Sequence, residues 1–447
     1  MPQGPREGNV GLYSEHVPRQ SSRSMAAPFP AEGPAEMAQV LVAGGGPAGL
    51  AAAVAAARRG AATLLIERYG FLGGMATAGL VNPFMGWHAG GEPLVAGIFQ
   101  QTLDRMRAAG GYGGKRQPRA FDPEVLKLVA DELCAEAGVQ LRLHTLLTRA
   151  EVEQGRIARV RSEGKSGTRE WAAEIYIDCT GDADLAFHAG VPCDEGRAED
   201  GLTQPMTLNF RMAGVALSRM PGRKKINRLF DAAKATGRVD CPRENVLLFH
   251  TLRPGVVHFN TTRVTCLSPT SSEGLTRAET EARRQAHELA RFLISDVPGF
   301  ERAYLQQCAP QIGVRESRRI RGDYALTEDD VLGARKFLDG IARSNYPVDI
   351  HSPTGAGTVI RAVPEGDYYE IPYRCLLPLE IDNLLVAGRC ISATHEAQAS
   401  LRIMPTCFAM GEAAGVAAAM AAQRGVSLRE LPAEELRQAL RDQGQVA

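Results

Sequence analysis

Arg315, Arg318, Arg319 and Arg321 crowd into one short stretch bordered by Gly313 and by apolar residues. Guanidinium forks grip carboxylates through two parallel hydrogen bonds, so this cluster can clamp an acidic small molecule. The same side chains can instead form structural ion pairs with Glu316, Asp323 and Glu328. His351 closes an apolar run, Tyr346-Pro347-Val348-Asp349-Ile350, and precedes the turn Ser352-Pro353-Thr354-Gly355. A histidine at a strand end can act as a base near neutral pH, or simply hydrogen-bond its own loop. Anion clamping and proton movement are therefore the chemistry these side chains offer.

A second set of residues suits phosphate. Residues 40–49 run as an apolar strand into Gly44-Gly45-Gly46-Pro47-Ala48-Gly49, a Gly-x-Gly-x-x-Gly turn opening an Ala-rich helix. Gly44 permits the tight turn, Gly46 lets the backbone approach a pyrophosphate, and Gly49 lets the helix pack closely. Pro47 and Ala48 then lie at the positive helix N-terminus, which faces phosphate. Glu67 ends the second strand where an acid binds ribose hydroxyls; Arg68 beside it suits a 2′-phosphate, which Glu67 would repel. Gly73, Gly74 and Met75 belong to a glycine-rich loop able to bring backbone against a flat cofactor. Residues 383–388, Asn-Leu-Leu-Val-Ala-Gly, repeat the strand-then-glycine pattern before another Ala-rich helix. One such unit indicates a dinucleotide; the pair of them, at opposite ends of the chain, points to FAD rather than NAD.

The fingerprint at Gly44, the turn Asp178-Cys179-Thr180-Gly181-Asp182, and Leu385-Val386-Ala387-Gly388-Arg389 with Gly411-Glu412-Ala413-Ala414-Gly415 resemble the FAD-dependent oxidoreductases of the glutathione-reductase-like superfamily. Residues 313–320 and 346–351 resemble, within it, a bacterial group related to the fumarate reductase and succinate dehydrogenase flavoproteins. The resemblance covers nearly everything after Ala38. It implies that Thr180, Gly181, Asp182, Gly388 and Arg389 touch the cofactor, although many relatives carry an acid where Arg389 stands, a role that Glu412 or backbone would then take. It also implies that the helix opening at Pro405 and Thr406 points its positive end at the flavin pyrimidine ring. His395 and Arg402 resemble, with a one-residue offset, a His and Arg that bind dicarboxylate and deliver a proton. His88 lies where some relatives attach FAD covalently, but its surroundings do not match, so a non-covalent FAD is expected.

The elements that must position these residues alternate. The resemblance implies an α/β, Rossmann-like FAD-binding domain split in sequence, made by residues from about 38 to 200 and from 355 to 447, and the strand and helix signals from Ala38 onward agree with it. Between them, 201–354 reads as an inserted mixed α+β substrate or cap domain, with strands near 207–212 and 256–261 and a polar helix over 276–295. Asp122-Pro123-Glu124 starts a helix that Gly138 stops. Residues 1–37, rich in Pro, Gly, Ser and charge, read as a disordered tail within which Met25 and Met37 are alternative starts.

Composition narrows the partners. The 447 residues have zero formal net charge and no basic run, which argues against nucleic acid and against an anionic membrane surface. Nine scattered cysteines suit reduced thiols in the cytoplasm rather than a disulfide framework, and no metal site is expected. No apolar run reaches the length of a membrane span. The expected activity is hydride transfer between flavin and a small organic substrate, with the arginines favouring an anionic one. No second glycine fingerprint suits a nicotinamide, so the electron partner is oxygen, a quinone or a carrier protein. A flavoprotein of tRNA modification and a non-catalytic FAD-binding redox sensor are the alternatives; the neutral charge disfavours the first.

Overall fold

Strand β1 (Glu36–Ala43), helix α1 (Pro47–Arg58) and strand β2 (Thr63–Ile66) form the expected βαβ unit in the computed structural model, which describes residues 36–447. Residues 36 and 37, expected in the tail, already belong to β1; the rest of that expectation lies outside the described residues. β1 pairs in parallel with β2 on one side and with Gly167–Asp178 on the other. Gln140–Arg142 extends the sheet beyond β2.

Gly167–Asp178 is long enough to serve two partners on its other side. Its first residues form an antiparallel hairpin with Arg156–Gly164, which in turn pairs with Thr145–Glu153. Its last residues pair in parallel with Leu384–Val386, in the register Tyr176↔Leu384 and Asp178↔Val386. A strand from late in the chain thus completes the seven-stranded sheet, and Gly44 and Gly388 leave it at the same edge. Ligands of open α/β sheets bind at this carboxyl edge of the parallel strands.

Helix Met404–Arg424, the closing helix, packs against α1. The two approach at glycines: a Cβ on Gly411 would lie 2.0 Å from the Ala48 carbonyl oxygen, and one on Gly415 would lie 2.2 Å from that of Ala52. Alanine at many of their other buried positions keeps the backbones close. Pro123–Ala137 follows the expected capping, with Asp122 accepting from the Glu124 amide at 3.0 Å and Gly138 left-handed at φ +78°.

A second, antiparallel sheet runs in the order Leu248–His250, Val257–Phe259, Phe210–Ala213, Tyr304–Cys308. Helices Arg223–Ala235 and Ser272–Asp296 cover it through Ile226, Phe230, Leu289 and Phe292. Beside it, Val348–His351 and Thr358–Arg361 make a hairpin with His351 opposite Thr358. Period-two alternation puts Asp349 and His351 on the same face of that hairpin.

Candidate active site

The first cavity opens at the carboxyl edge of the parallel sheet and has about 940 Å³ of empty space. Gly44, Gly46, Pro47 and Ala48 line one end. Gly44 is left-handed at φ +94°, and a Cβ there would lie 2.5 Å from the Cys179 carbonyl oxygen, so only glycine makes this turn. A Cβ on Gly46 would find nothing closer than the Gly74 Cα at 3.8 Å, because this glycine borders open space. It also caps α1 without a side chain, which leaves the first-turn amides for a ligand. Gly49 is not on the wall; its hydrogen faces the Gly44 carbonyl, where a Cβ would sit at 1.7 Å. Each fingerprint glycine thus sits in a different steric setting: Gly44 in a left-handed turn, Gly46 at open space and Gly49 against backbone.

Glu67 lines the cavity with a carboxylate held by the Gly45 amide at 2.6 Å and the Tyr69 amide at 2.8 Å. Burial raises its pKa while those two amides pull it down. Each oxygen retains a lone pair for ribose. Arg68, Gly74, Met75, Thr180, Gly181 and Gly388 also reach the wall. Gly73, left-handed at φ +104°, supports the loop from behind by donating to the Gly45 carbonyl at 2.8 Å. The wall thus combines a glycine turn at a helix N-terminus, an acceptor carboxylate and further lining from Met75, Thr180 and Gly388, a donor and acceptor set that fits FAD.

The second cavity, a cleft with about 1320 Å³ of empty space, lies between the hairpin at 348–361 and the antiparallel sheet. Met75, Arg389, Arg402 and Met404 line both cavities, so the two adjoin. Arg315 and His351 line the cleft as expected. Arg315 donates to the Pro205 carbonyl at 2.7 Å, to Thr207 Oγ1 at 2.6 Å and to Asn260 Oδ1 at 3.3 Å, with no carboxylate partner. Burial, then Arg402 and Arg243, push its pKa well down.

His351 does not present a free base. Its Nδ1 lies 3.2 Å from Arg263 Nη2, and arginine only donates, so Nδ1 accepts and the proton of the neutral ring sits on Nε2. Nε2 faces Asp349 Oδ2 at 3.6 Å. Burial, then Arg315, drives the histidine pKa down to about 3 despite Asp349. Burial alone would raise Asp349, but His351 and Arg402 outweigh it and hold that carboxylate below its usual range. Tyr346 donates to Asp349 Oδ2 at 3.0 Å. Asp349 and Tyr346 are site residues that the sequence reading passed over as candidates, although the two-residue spacing of Asp349 from His351 already placed both on one strand face.

Several of the expected site residues lie away from both cavities. Arg318 stays outside both cavities, donating to the Asp182 carbonyl at 2.8 Å and pairing with Asp184 at 2.5 Å. Arg319 is buried against Glu316 at 2.5 Å, and Arg321 pairs with Asp194 on the surface. His395 lines neither cavity; its Nδ1 sits 2.8 Å from Glu316 Oε1 in the same buried network as Arg319. Asp182 does not reach the cofactor wall because its carboxylate accepts from Arg389 Nη2 at 2.6 Å and Ser317 Oγ at 2.7 Å. Arg389 itself does reach it. Pro405 and Thr406 are buried behind the wall, where Met404 and Cys407 stand instead, since one turn of helix exposes one face. Glu412 points away to the Ile98 amide at 3.1 Å and Gln445, so it replaces no cofactor contact. His88 is exposed and lines neither cavity.

Residues 39–440 match the family of FAD dependent oxidoreductases, and the chain belongs to that family. It is an oxidoreductase whose cofactor is FAD. Among solved structures, the chain is similar to a geranylgeranyl bacteriochlorophyll reductase-like protein from Thermoplasma acidophilum, at 15% identity over 92% of this chain and 84% of that one, with a TM-score of 0.47. It is also similar to p-nitrophenol 4-monooxygenase from Pseudomonas putida, at 13% identity over 91% and 84%, with a TM-score of 0.45. No curated protein matches it.

Proposed function

We propose that this oxidoreductase transfers a hydride between FAD and a small anionic organic substrate held in the second cleft. The observation that carries the reading is the shared wall: Met75, Arg389, Arg402 and Met404 border both cavities, so a molecule in the cleft adjoins the cofactor. FAD, when bound, supplies the two-electron donor or acceptor. Gly46 and the α1 N-terminus take its phosphates and Glu67 its ribose. Arg315 and Arg402 orient the substrate by its negative charge, and Met404 shields the junction from water. Asp349 holds the proton of Tyr346, and this pair handles the proton that accompanies the hydride. His351, neutral and with Nδ1 occupied, positions Asp349.

The 201–354 segment acts in this reading as the lobe that closes over substrate. The electron partner is oxygen, a quinone or a carrier protein, and FAD is held non-covalently, as the placement of His88 supports. A closer affinity with the fumarate reductase and succinate dehydrogenase flavoproteins rests on residues 313–320 and 346–351 alone. A dicarboxylate reduction with His395 in the role that resemblance implies has no support in its position, 2.8 Å from Glu316 and outside both cavities.

The test is the visible spectrum before and after acid precipitation, followed by anaerobic titration with organic acids. The expected result is oxidised-flavin bands that pass into the supernatant, and a native protein that an organic acid bleaches or whose reduced form it reoxidises. A colourless protein that added FAD cannot reconstitute would sink the reading, and a yellow pellet would redirect it to covalent flavin at His88. Tyr346→Phe is expected to keep FAD and lower kcat on the order of 100-fold, the usual scale of a lost acid or base.

A further inference from the structure

Arg243 lies on the wall of the cleft and is 4% exposed. Among the described residues its side chain forms no ion pair and no hydrogen bond, and its Nε is buried without a partner. The carboxylates that face it are already engaged. Glu244 sits 3.2 Å from Arg263 and accepts from Thr358, while Asp349 accepts from Tyr346 and lies 3.6 Å from both Arg402 and His351. Neutral His351 offers Arg243 no counter-charge. With its Nε buried and the rest of its guanidinium facing only the cleft, this cation has given up most of its hydration without gaining a counter-charge, a cost that an arriving anion would offset. The remaining cleft wall is largely hydrocarbon, from Val81, Met85, Leu247, Phe249 and Ile360.

We propose that Arg243 is the anchor for the carboxylate of an organic acid with an apolar body, and that this residue, more than the arginine-rich stretch at 315–321, sets substrate class. The inference rests on the cleft being the substrate site. The two surplus guanidinium groups, Arg243 and Arg315, bracket the acid group, and the apolar wall takes the hydrocarbon. A compact ion such as phosphate would leave that wall facing water, so charge alone does not satisfy the site.

Calorimetric titration of the FAD-loaded protein tests this, with benzoate, phenylacetate and octanoate as probes and with benzamide and inorganic phosphate as contrasts. At least one carboxylate is expected to bind, with benzamide and phosphate at least tenfold weaker. Arg243→Met should weaken the carboxylate at least tenfold, Arg243→Lys should recover part of the loss, and Arg321→Gln should change nothing. Without ligand, Arg243→Met should melt at or above the wild-type temperature, because a buried unpaired charge is gone. A lower melting temperature would show a structural guanidinium and overturn the proposal. So would unchanged carboxylate binding in Arg243→Met, equal binding of phosphate or benzamide, or no binding of any of the three acids. FAD content is read separately for each protein: absence of FAD from the wild type defeats the oxidoreductase mechanism, whereas retained FAD with an indifferent Arg243 defeats only this inference.

Discussion

A guanidinium tells little until its neighbours are known, and this chain separates four that look alike in sequence. Arg315 faces the cleft with neutral partners, whereas Arg318, Arg319 and Arg321 are each bound to a carboxylate. Arg315→Met is therefore expected to lower kcat/KM on the order of 100-fold, since it removes a charge without a carboxylate partner from the cleft, and to lower the melting temperature only through the lost hydrogen bonds to Pro205, Thr207 and Asn260. Arg318→Met should leave kcat/KM largely intact and lower the melting temperature by leaving Asp184 partly buried and unpaired. Equal kinetic losses in the two variants would undo this distinction. The histidines allow a pH prediction. His351 and His258 are buried and neutral, with pKa values of about 3 against an ordinary 6.5. The unfolded chain binds their protons first, so their contribution to stability is complete above pH 6.5 and is lost progressively as pH falls toward 3. Urea unfolding between pH 4 and 7 should show that decline, and His351→Gln should flatten part of it.

At the scale of elements, the closing helix carries two obligations at once. One face meets α1 at Gly411 and Gly415, and the other presents Met404 and Cys407 to the cofactor wall. Gly411→Ala is expected to destabilise by about 3 kcal/mol, because the added carbon runs into α1 backbone that has no room to shift. Guanidinium denaturation measures this directly; a loss under about 0.5 kcal/mol, the range of an indifferent surface change, would mean the helices part easily. The same helix buries Glu412, whose pKa burial raises to about 7 against 4.5. A raised pKa means the folded form holds the proton more tightly, so the associated stability is present below pH 4.5 and disappears as pH rises through 7. Glu412→Gln should therefore stabilise at pH 8, by on the order of 3 kcal/mol at most, and confer no advantage at pH 4. An advantage that persists unchanged at pH 4 would assign the effect to packing.

At the scale of the molecule, the cofactor wall is assembled from segments hundreds of residues apart. Gly44 and Gly388 reach it only because Leu384–Val386 enters the sheet beside Gly167–Asp178. FAD should consequently stabilise the whole chain by mass action, adding about 4 kcal/mol at free concentrations a thousand times its dissociation constant. Removing the flavin should lower the melting temperature, and adding it back should restore it; a melting temperature indifferent to FAD would contradict the assembled wall. No single helix among the described residues is long and apolar enough to cross a membrane. A bent pair, His395–Leu401 with Met404–Arg424, passes on length and composition together, but its apolar residues are buried, those of Met404–Arg424 against α1 and the sheet and those of His395–Leu401 beside the strand Val348–His351.

What the sequence determined by itself is the local chemistry of short range. The turn at Gly44, the acid at Glu67 closing the second strand, the cap at Asp122 and the glycine at Gly388 are each dictated by backbone sterics and hydrogen bonding within a few residues, so spacing alone revealed them. The paired strand-then-glycine units pointed to FAD, and the family and the split sheet came from the resemblance those motifs carry. The tertiary structure alone decided which charges are free. Whether Arg315 or Arg318 faces a ligand depends on carboxylates supplied by distant segments, Asp184 in one case and none in the other. Arg243 sits in a loop without periodicity, so no pattern marked it; its lack of a partner is a property of the packed cleft. His351 gave up the role of base for the same reason, because Arg263, 88 positions away, occupies its Nδ1. Short-range sterics can be read along a chain, whereas the electrostatic state of a side chain is set by what folding brings beside it.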